Sequence, residues 1–415
     1  MKTLDESNRA MLLDTVERYH AEQTVFLAEL VKVPSDNPPG NCDPIARRAA
    51  QLLTDIGYSV EHHPVPANLT KSNGMVSATN LVVRRNFGPG PVVALNAHGD
   101  VVPPGENWTV DPYGADIKNG RMYGRGVAVS KSDFATYSFA LKALEDSGVP
   151  LAGTVELHFT FDEETGGVIG PGWLIEKNLT NPDYVISAGF TYNVVIAHNG
   201  CLHLEISVHG RSAHAARPDT GVDALEAATQ LLMALYGLRS GLKKRRSTVL
   251  GIDHPTLVVG LIQGGINTNV VPDLVVIRLD RRIIPEESPE EVEQELRSFI
   301  ANTIAGLPGI EVDVRQVLLA RPLLPQKDAG RLIESLQRNA RVVTGEAIPA
   351  NGVPLYTDAR HYSAAGIPTV LYGAGPHSLL EANGHRADEN LVLSDLLKAT
   401  KVIALTLAEL LGRAE

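Results

Sequence analysis

The sequence predicts a layered α/β domain built from both ends of the chain and interrupted by a smaller α+β domain. Three observations carry this. Up to about residue 200, short apolar, β-branched runs alternate with amphipathic stretches at helical spacing, the pattern of a mostly parallel sheet between helices. Between about 200 and 320 the strands alternate apolar and polar residues, as in Leu202-His-Leu-Glu-Ile-Ser-Val208, and follow a β-α-β-β-α-β order. After about 320 the α/β texture returns. The expected division is residues 1–200 with 320–415 as one α/β domain, and 201–319 as a ferredoxin-like insert.

Taken in order, residues 5 to 33 carry helical spacing (Met11, Leu12, Val16, Val25, Phe26, Leu30), stopped by Pro34 and Pro38-Pro39. A second amphipathic helix spans 43 to 56 and ends at Gly57. Strands are expected at 78 to 86, 91 to 97, 153 to 161 and 183 to 187, with a helix at about 132 to 147. The insert holds strands at 202 to 208, 256 to 263, 274 to 282 and 309 to 316, and helices at 222 to 238 and 288 to 304. The closing segment holds a helix at 328 to 343, a strand at 367 to 372 and a helix from about 391 to 411.

The 415 residues provide ample length for a core, and 44% hydrophobic with 20% charged residues describes an ordinary globular protein. A net charge of -11 argues against general binding to nucleic acid or anionic membranes. The basic run Lys243-Lys-Arg-Arg246 reads as a solvated loop. No stretch approaches the ~20 apolar residues of a membrane span. The polar opening Met1-Lys-Thr-Leu-Asp-Glu-Ser is unlike a signal peptide, and Cys42 and Cys201 offer no disulfide framework. A cytoplasmic protein is expected.

Chemistry concentrates at a few stretches. His98-Gly-Asp100 closes the apolar run that starts at Pro91, so both side chains project from the strand end where α/β enzymes keep their sites. Phe161-Asp-Glu163-Glu164-Thr-Gly-Gly167 follows another strand. Adjacent carboxylates repel, so an acidic turn is one account. The other has the two side chains pointing in opposite directions, one as metal ligand and one as general base toward metal-activated water. A loop histidine, His385, precedes the last helix, and Gly210-Arg-Ser-Ala-His214 and Asn267-Thr-Asn269-Val-Val-Pro272 lie in the insert.

In order, His98-x-Asp100, Gly124-Arg-Gly126, Asp162-Glu163-Glu164-x-Gly-Gly, Ser212-Ala-His214, Asn269-Val-Val-Pro272, Thr357-Asp358-Ala-Arg360 and His385 resemble the metallohydrolases that include glutamate carboxypeptidase, aminoacylase, acetylornithine deacetylase and succinyl-diaminopimelate desuccinylase. The resemblance covers essentially the whole chain. It implies a zinc-exopeptidase-like catalytic domain with an inserted lid or dimerisation domain, and a homodimer. It implies metal ligands His98, Glu164 and His385, a general base Glu163, and Asp100 as the carboxylate that orients His98. It also implies that His214 and Asn269 hold or polarise the substrate and that Arg360 binds its carboxylate, with Arg282 a second candidate for that task.

The sequence departs from the family at two positions. Val129 stands where a metal-bridging aspartate belongs, and Gly189 where another acidic ligand belongs. Two dications ~4 Å apart repel strongly without a bridging anion. The expectation is therefore one Mn, Zn or Fe ion per chain, with Ser130, Ser132, Asp133 and Tyr192 as nearby substitutes for a lost ligand. The implied activity is hydrolysis of a C–N bond in a small carboxylate-bearing substrate. The specific expectation is hydrolytic deamination of an aminobenzoate, as in 5-nitroanthranilate aminohydrolase. The alternatives are amide hydrolysis (deacylase, desuccinylase or carboxypeptidase) and a non-catalytic binding protein.

Overall fold

The computed structural model describes Leu4 to Gly412, so Met1 to Thr3 of the polar opening lie outside the described residues. The chain forms two compact units. The first comprises the residues up to Ile196, Pro325–Asn351 and those from Thr357; the second comprises Ala197–Leu324 with Gly352–Tyr356.

Helix α1 (Glu6–Val31) starts where Asp5 accepts a hydrogen bond from the Asn8 amide. It buries Leu12, Val16, Phe26, Leu27 and Leu30, and stops ahead of Pro34. Helix α2 (Asp43–Asp55) has proline in its first turn. There follow β1 (Val60–Pro64), α3 (Ala67–Ser72), β2 (Thr79–Asn86), β3 (Val92–His98), β4 (Asp116–Lys118), β5 (Arg121–Tyr123), α4 (Lys131–Asp146), β6 (Thr154–Thr160), α5 (Pro171–Glu176), β7 (Tyr184–Ser187) and β8 (Val194–His198). The second unit contributes β9 (Gly200–His209), α6 (Ala224–Leu242), β10 (Thr256–Gly264), β11 (Leu274–Ile283), α7 (Pro289–Ile304) and β12 (Glu311–Ala320). The chain closes with α8 (Gly330–Thr344), β13 (Ala350–Val353), α9 (Ala359–Ala364), β14 (Thr369–Leu371), β15 (Asn390–Val392) and α10 (Leu393–Leu411).

The main sheet has the order β1-β2-β6-β3-β7-β14-β8-β13. Strand β3 runs parallel to β6 and β7, and β14 runs parallel to β7. Strand β3 is buried from Val93 to His98, as expected for a parallel strand covered on both faces. Helices α1, α4, α8 and α10 enclose one large apolar core with the sheet. In β3 and β6, His98 is paired with Thr160, so these strands end side by side, and the residues that follow both emerge at one sheet edge.

The second unit has the order β10-β11-β9-β12, the ferredoxin-like arrangement. Leu202, Leu204, Ile206, Val208, Val275, Ile277 and Leu279 bury one face with α6 and α7. The opposite face is polar: Glu205 pairs with Arg278 and Arg315 across three strands. Two of its elements run four residues beyond the expected ends, and β9, β10 and β11 by one or two. Helix α6 reaches Leu242 because Gly237 and Gly241 are carried through it, and β12 continues past residue 316 to Ala320 across a register shift.

Candidate functional site

The site in the first unit is built on the ends of β3 and β6. His98 is the last residue of β3, and Gly99 follows because a Cβ there would approach Phe161 to 2.6 Å. Asp100 is fully buried, and its carboxylate accepts from the Glu163 amide (3.2 Å), the Glu164 amide (3.1 Å) and Asn37 Nδ2 (2.9 Å). His98 Nδ1 lies 3.0 Å from the Asp100 carbonyl and 3.3 Å from its Oδ1. Two acceptors at Nδ1 fix the proton there and leave Nε2 with a lone pair to offer.

Glu163 and Glu164 form a single 3-10 turn that closes through Gly166 and Gly167, at φ 112° and 64°. Glycine is needed at both for that left-handed path. The sequence suggested carboxylates pointing in opposite directions; the structure corrects this. A ring nitrogen of His98 and an oxygen from each of Glu163 and Glu164 lie within 4.8 Å of one another. Asp100 accepts from both backbone amides of the turn and so fixes the turn beside His98. His385 joins them, with Nε2 at 3.5 Å from Glu164 Oε1.

The charges in this cluster are strained. Burial pushes the Glu163 carboxyl up to about 8, with His98 opposing and Glu164 and Asp100 adding to the rise. Burial alone would lower His98, but Asp100, Glu163 and Glu164 outweigh it and hold the imidazole well above its ordinary range. Behind the turn, burial lifts Asp358 to about 7, and burial with Asp358 nearby raises Asp162 as well. A dication among these groups would relieve the repulsion among the carboxylates. With its tautomer set, the histidine, two convergent carboxylates and a second histidine fit a divalent metal ion.

A supporting pair had no role assigned from sequence. Arg125 and Glu389, both almost completely buried, are joined at 2.6 Å. The second Glu389 oxygen accepts from the Ala128 (3.1 Å) and Val129 (3.3 Å) amides. Arg125 also donates to the carbonyls of Pro104 (3.1 Å) and Arg386 (3.2 Å), with Trp108 against its guanidinium. Asp388 takes the Thr109 amide and hydroxyl, both at 2.9 Å. The loop holding His385 is thereby tied to residues 104 to 109 and to the segment preceding α4. An acid four residues after the late histidine was the available signal.

At the two departures the structure shows how the chain is accommodated. Val129 packs at the core edge. A Cβ on Gly189 would meet the Tyr372 amide at 2.6 Å, so no side chain fits there. The Asp133 carboxylate lies beside it, accepting from Gly189 N (3.2 Å) and Ala374 N (2.7 Å). A Cβ on Gly373 would strike that carboxylate at 2.2 Å. Of the other substitutes, Ser130 exchanges hydrogen bonds with the backbone of His98, and Tyr192 hydrogen-bonds Asp395. Ser132 is buried in α4. Arg360 is buried, donating to the carbonyls of Thr357 (2.8 Å) and Gly166.

The second unit places His214 and Asn269 together. The Ala215 amide donates to the Asn269 carbonyl at 3.0 Å, and the Val271 amide donates to Ala213 at 2.8 Å, pairing the two loops. Both side chains are exposed. Arg282 Nε lies 3.0 Å from Asp280 Oδ1, with the guanidinium over Tyr356.

An α/β sheet ending in histidines and convergent carboxylates, with a ferredoxin-like insert, defines a class of metal-dependent hydrolases. The chain belongs to peptidase family M20/M25/M40, whose model matches residues 94–409. It is therefore a metallohydrolase of C–N bonds. It is 28% identical to acetylornithine deacetylase of Myxococcus xanthus, over 93% of this chain and 97% of that one. It is 27% identical to succinyl-diaminopimelate desuccinylase of Wolinella succinogenes, over 78% of this chain and 86% of the other. The fold is similar to that of an M20 family metallo-carboxypeptidase from Sulfolobus solfataricus, with TM-score 0.78 and 19% identity over 93% of this chain and 98% of that one. Among the described residues no helix is long and apolar enough to cross a membrane.

Proposed function

We propose that this protein hydrolyses an amide bond beside a carboxylate in a small substrate, using one divalent ion per chain. The observation that carries this reading is the convergence of His98, Glu163 and Glu164, with His385 against Glu164. Kinship with a deacetylase and a desuccinylase favours an N-acyl amino acid as substrate class. Deamination of an aminobenzoate, the more specific expectation, gains nothing from that kinship, and amide cleavage takes its place.

His98, Glu164 and His385 are the proposed ligands of a Mn, Zn or Fe ion. Bound there, the ion supplies Lewis-acid activation of water and of the scissile carbonyl. Glu163 takes a proton from the attacking water and returns it to the leaving nitrogen; its raised pKa suits a group that must both accept and release a proton near neutrality. Asp100 holds His98 and both amides of the acidic turn. His214 and Asn269 are assigned to the substrate carbonyl. Arg360 is assigned to the substrate carboxylate, with Arg282 as the second candidate; Arg360 also donates to the Thr357 and Gly166 carbonyls, and Arg282 is paired with Asp280. A cytoplasmic homodimer associating through the insert completes the proposal; a monomer in sedimentation at micromolar concentration would count against that part.

The deciding assay offers the Mn- or Zn-loaded protein N-acetyl and N-succinyl amino acids, dipeptides and substituted anthranilates. Release of a free amino acid is expected. Ammonia from the anthranilates alone would restore the deaminase reading, and no turnover across the panel would leave a binding protein. Metal analysis returning two ions at the His98 cluster would overturn the single-ion assignment.

A further inference from the structure

The polar face of the second unit holds three side chains, Cys201, His203 and Asp280, that the proposed hydrolase chemistry leaves unused, beside Arg282. Cys201 and His203 are two residues apart on β9, so their side chains share a face. Across the ladder Asp280 on β11 is paired with His203, and Arg282 with Cys201. This face is opposite the one that carries Leu202, Leu204 and Leu279 against the helices. A ligand atom from each of Cys201, His203 and Asp280 lies within 4.8 Å of the other two. His203 Nε2 and Asp280 Oδ2 are already 3.1 Å apart, close to the separation of two donors around one zinc at bond lengths of ~2.0–2.2 Å.

We propose that Cys201, His203 and Asp280 form a second metal site, separate from the His98 cluster and suited to a borderline-soft dication such as Zn or Co. A thiolate, a carboxylate and a neutral imidazole balance a dication without residual charge, and soft sulfur selects zinc or cobalt over magnesium or calcium. Cys201 is fully buried, whereas the His203 and Asp280 side chains are 35% and 28% exposed, so the ion enters from their side. Arg282 is the built-in competitor. Its Nε lies 3.0 and 3.2 Å from the two Asp280 oxygens, so the guanidinium is the carboxylate's counter-ion until a metal replaces it. Tyr356, 5.5 Å from the guanidinium, offers the displaced arginine a ring face.

Cobalt titration of metal-free full-length protein tests this, because thiolate-to-cobalt charge transfer absorbs in the near ultraviolet and the His98 cluster contains no cysteine. The expected result is such a band with about one equivalent of cobalt beyond that held by the His98 cluster. The band and the extra equivalent should disappear in Cys201→Ser and in His203→Gln, and persist in Cys42→Ser. His203→Gln lies at the exposed side and keeps the test decisive if the buried Cys201→Ser variant fails to fold. No band in wild type, or a band that survives Cys201→Ser, overturns the proposal. Because the signal needs sulfur, it reads this site whether or not the hydrolase assignment holds.

Discussion

Replacing Glu163 with Gln keeps the size of the side chain and removes its capacity to carry a proton. The expected outcome is a fall in kcat of ~10²–10⁴-fold with metal content unchanged; loss of metal along with activity would instead make Glu163 a ligand. A second test at this scale concerns Gly189. Adding one methyl group forces Cβ toward the Tyr372 amide, so Gly189→Ala should destabilise by roughly 1–3 kcal/mol, read as a lowered midpoint in denaturant. An unchanged midpoint would show that the backbone there yields freely. The stretches that converge in the structure, His98 and Glu163-Glu164, stood out in the sequence as a histidine and paired acids at strand ends. What was not legible was direction. Only the structure shows that Glu163 and Glu164 both approach His98, on a turn fixed by Asp100, and that Arg360 donates to backbone carbonyls.

The connections between elements depend on the Arg125–Glu389 pair. One buried guanidinium touches residues 104, 386 and 389, and one buried carboxylate caps the backbone at 128 and 129. Arg125→Met leaves Glu389 charged and unpaired, which should cost about 3–5 kcal/mol in chemical unfolding. It should also weaken metal retention at His385, measured by chelator competition. A variant as stable as wild type would mean that the carboxylate finds another partner. Long periodic elements such as α1, α4 and α10 were readable from spacing alone. Short ones were not: β4, β5, β13 and β15 have three or four residues each, too few for a period to register, and they exist because neighbouring strands and loops complete their hydrogen bonding.

At the scale of the molecule, acid stability should depend on Glu156. Burial would raise this carboxyl, but His158, Thr180 and Arg84 donate to it and hold it down at about 2. A depressed carboxyl contributes stability that is complete above its ordinary value of 4.5 and is lost as pH falls toward 2. Over that interval Glu156→Gln should flatten the pH dependence of unfolding; parallel curves for the two proteins would exclude this residue as a source. The insert should also fold alone. His198 and Leu323 pair at its entry and exit, closing the segment into a unit with its own core. A fragment of residues 197–324 is expected to melt cooperatively by circular dichroism, and a featureless melt would refute its autonomy. The strand order has a further consequence for synthesis. Strand β14 belongs between β7 and β8, and α10 closes the core against α1 and α4. As the ribosome releases the chain, the insert can be finished while the larger unit still has an open gap in its sheet. Until residues after Pro325 emerge, that gap exposes unpaired strand edges and apolar surface, so the nascent chain should lean on chaperones most heavily between completion of the insert and arrival of β14 and α10.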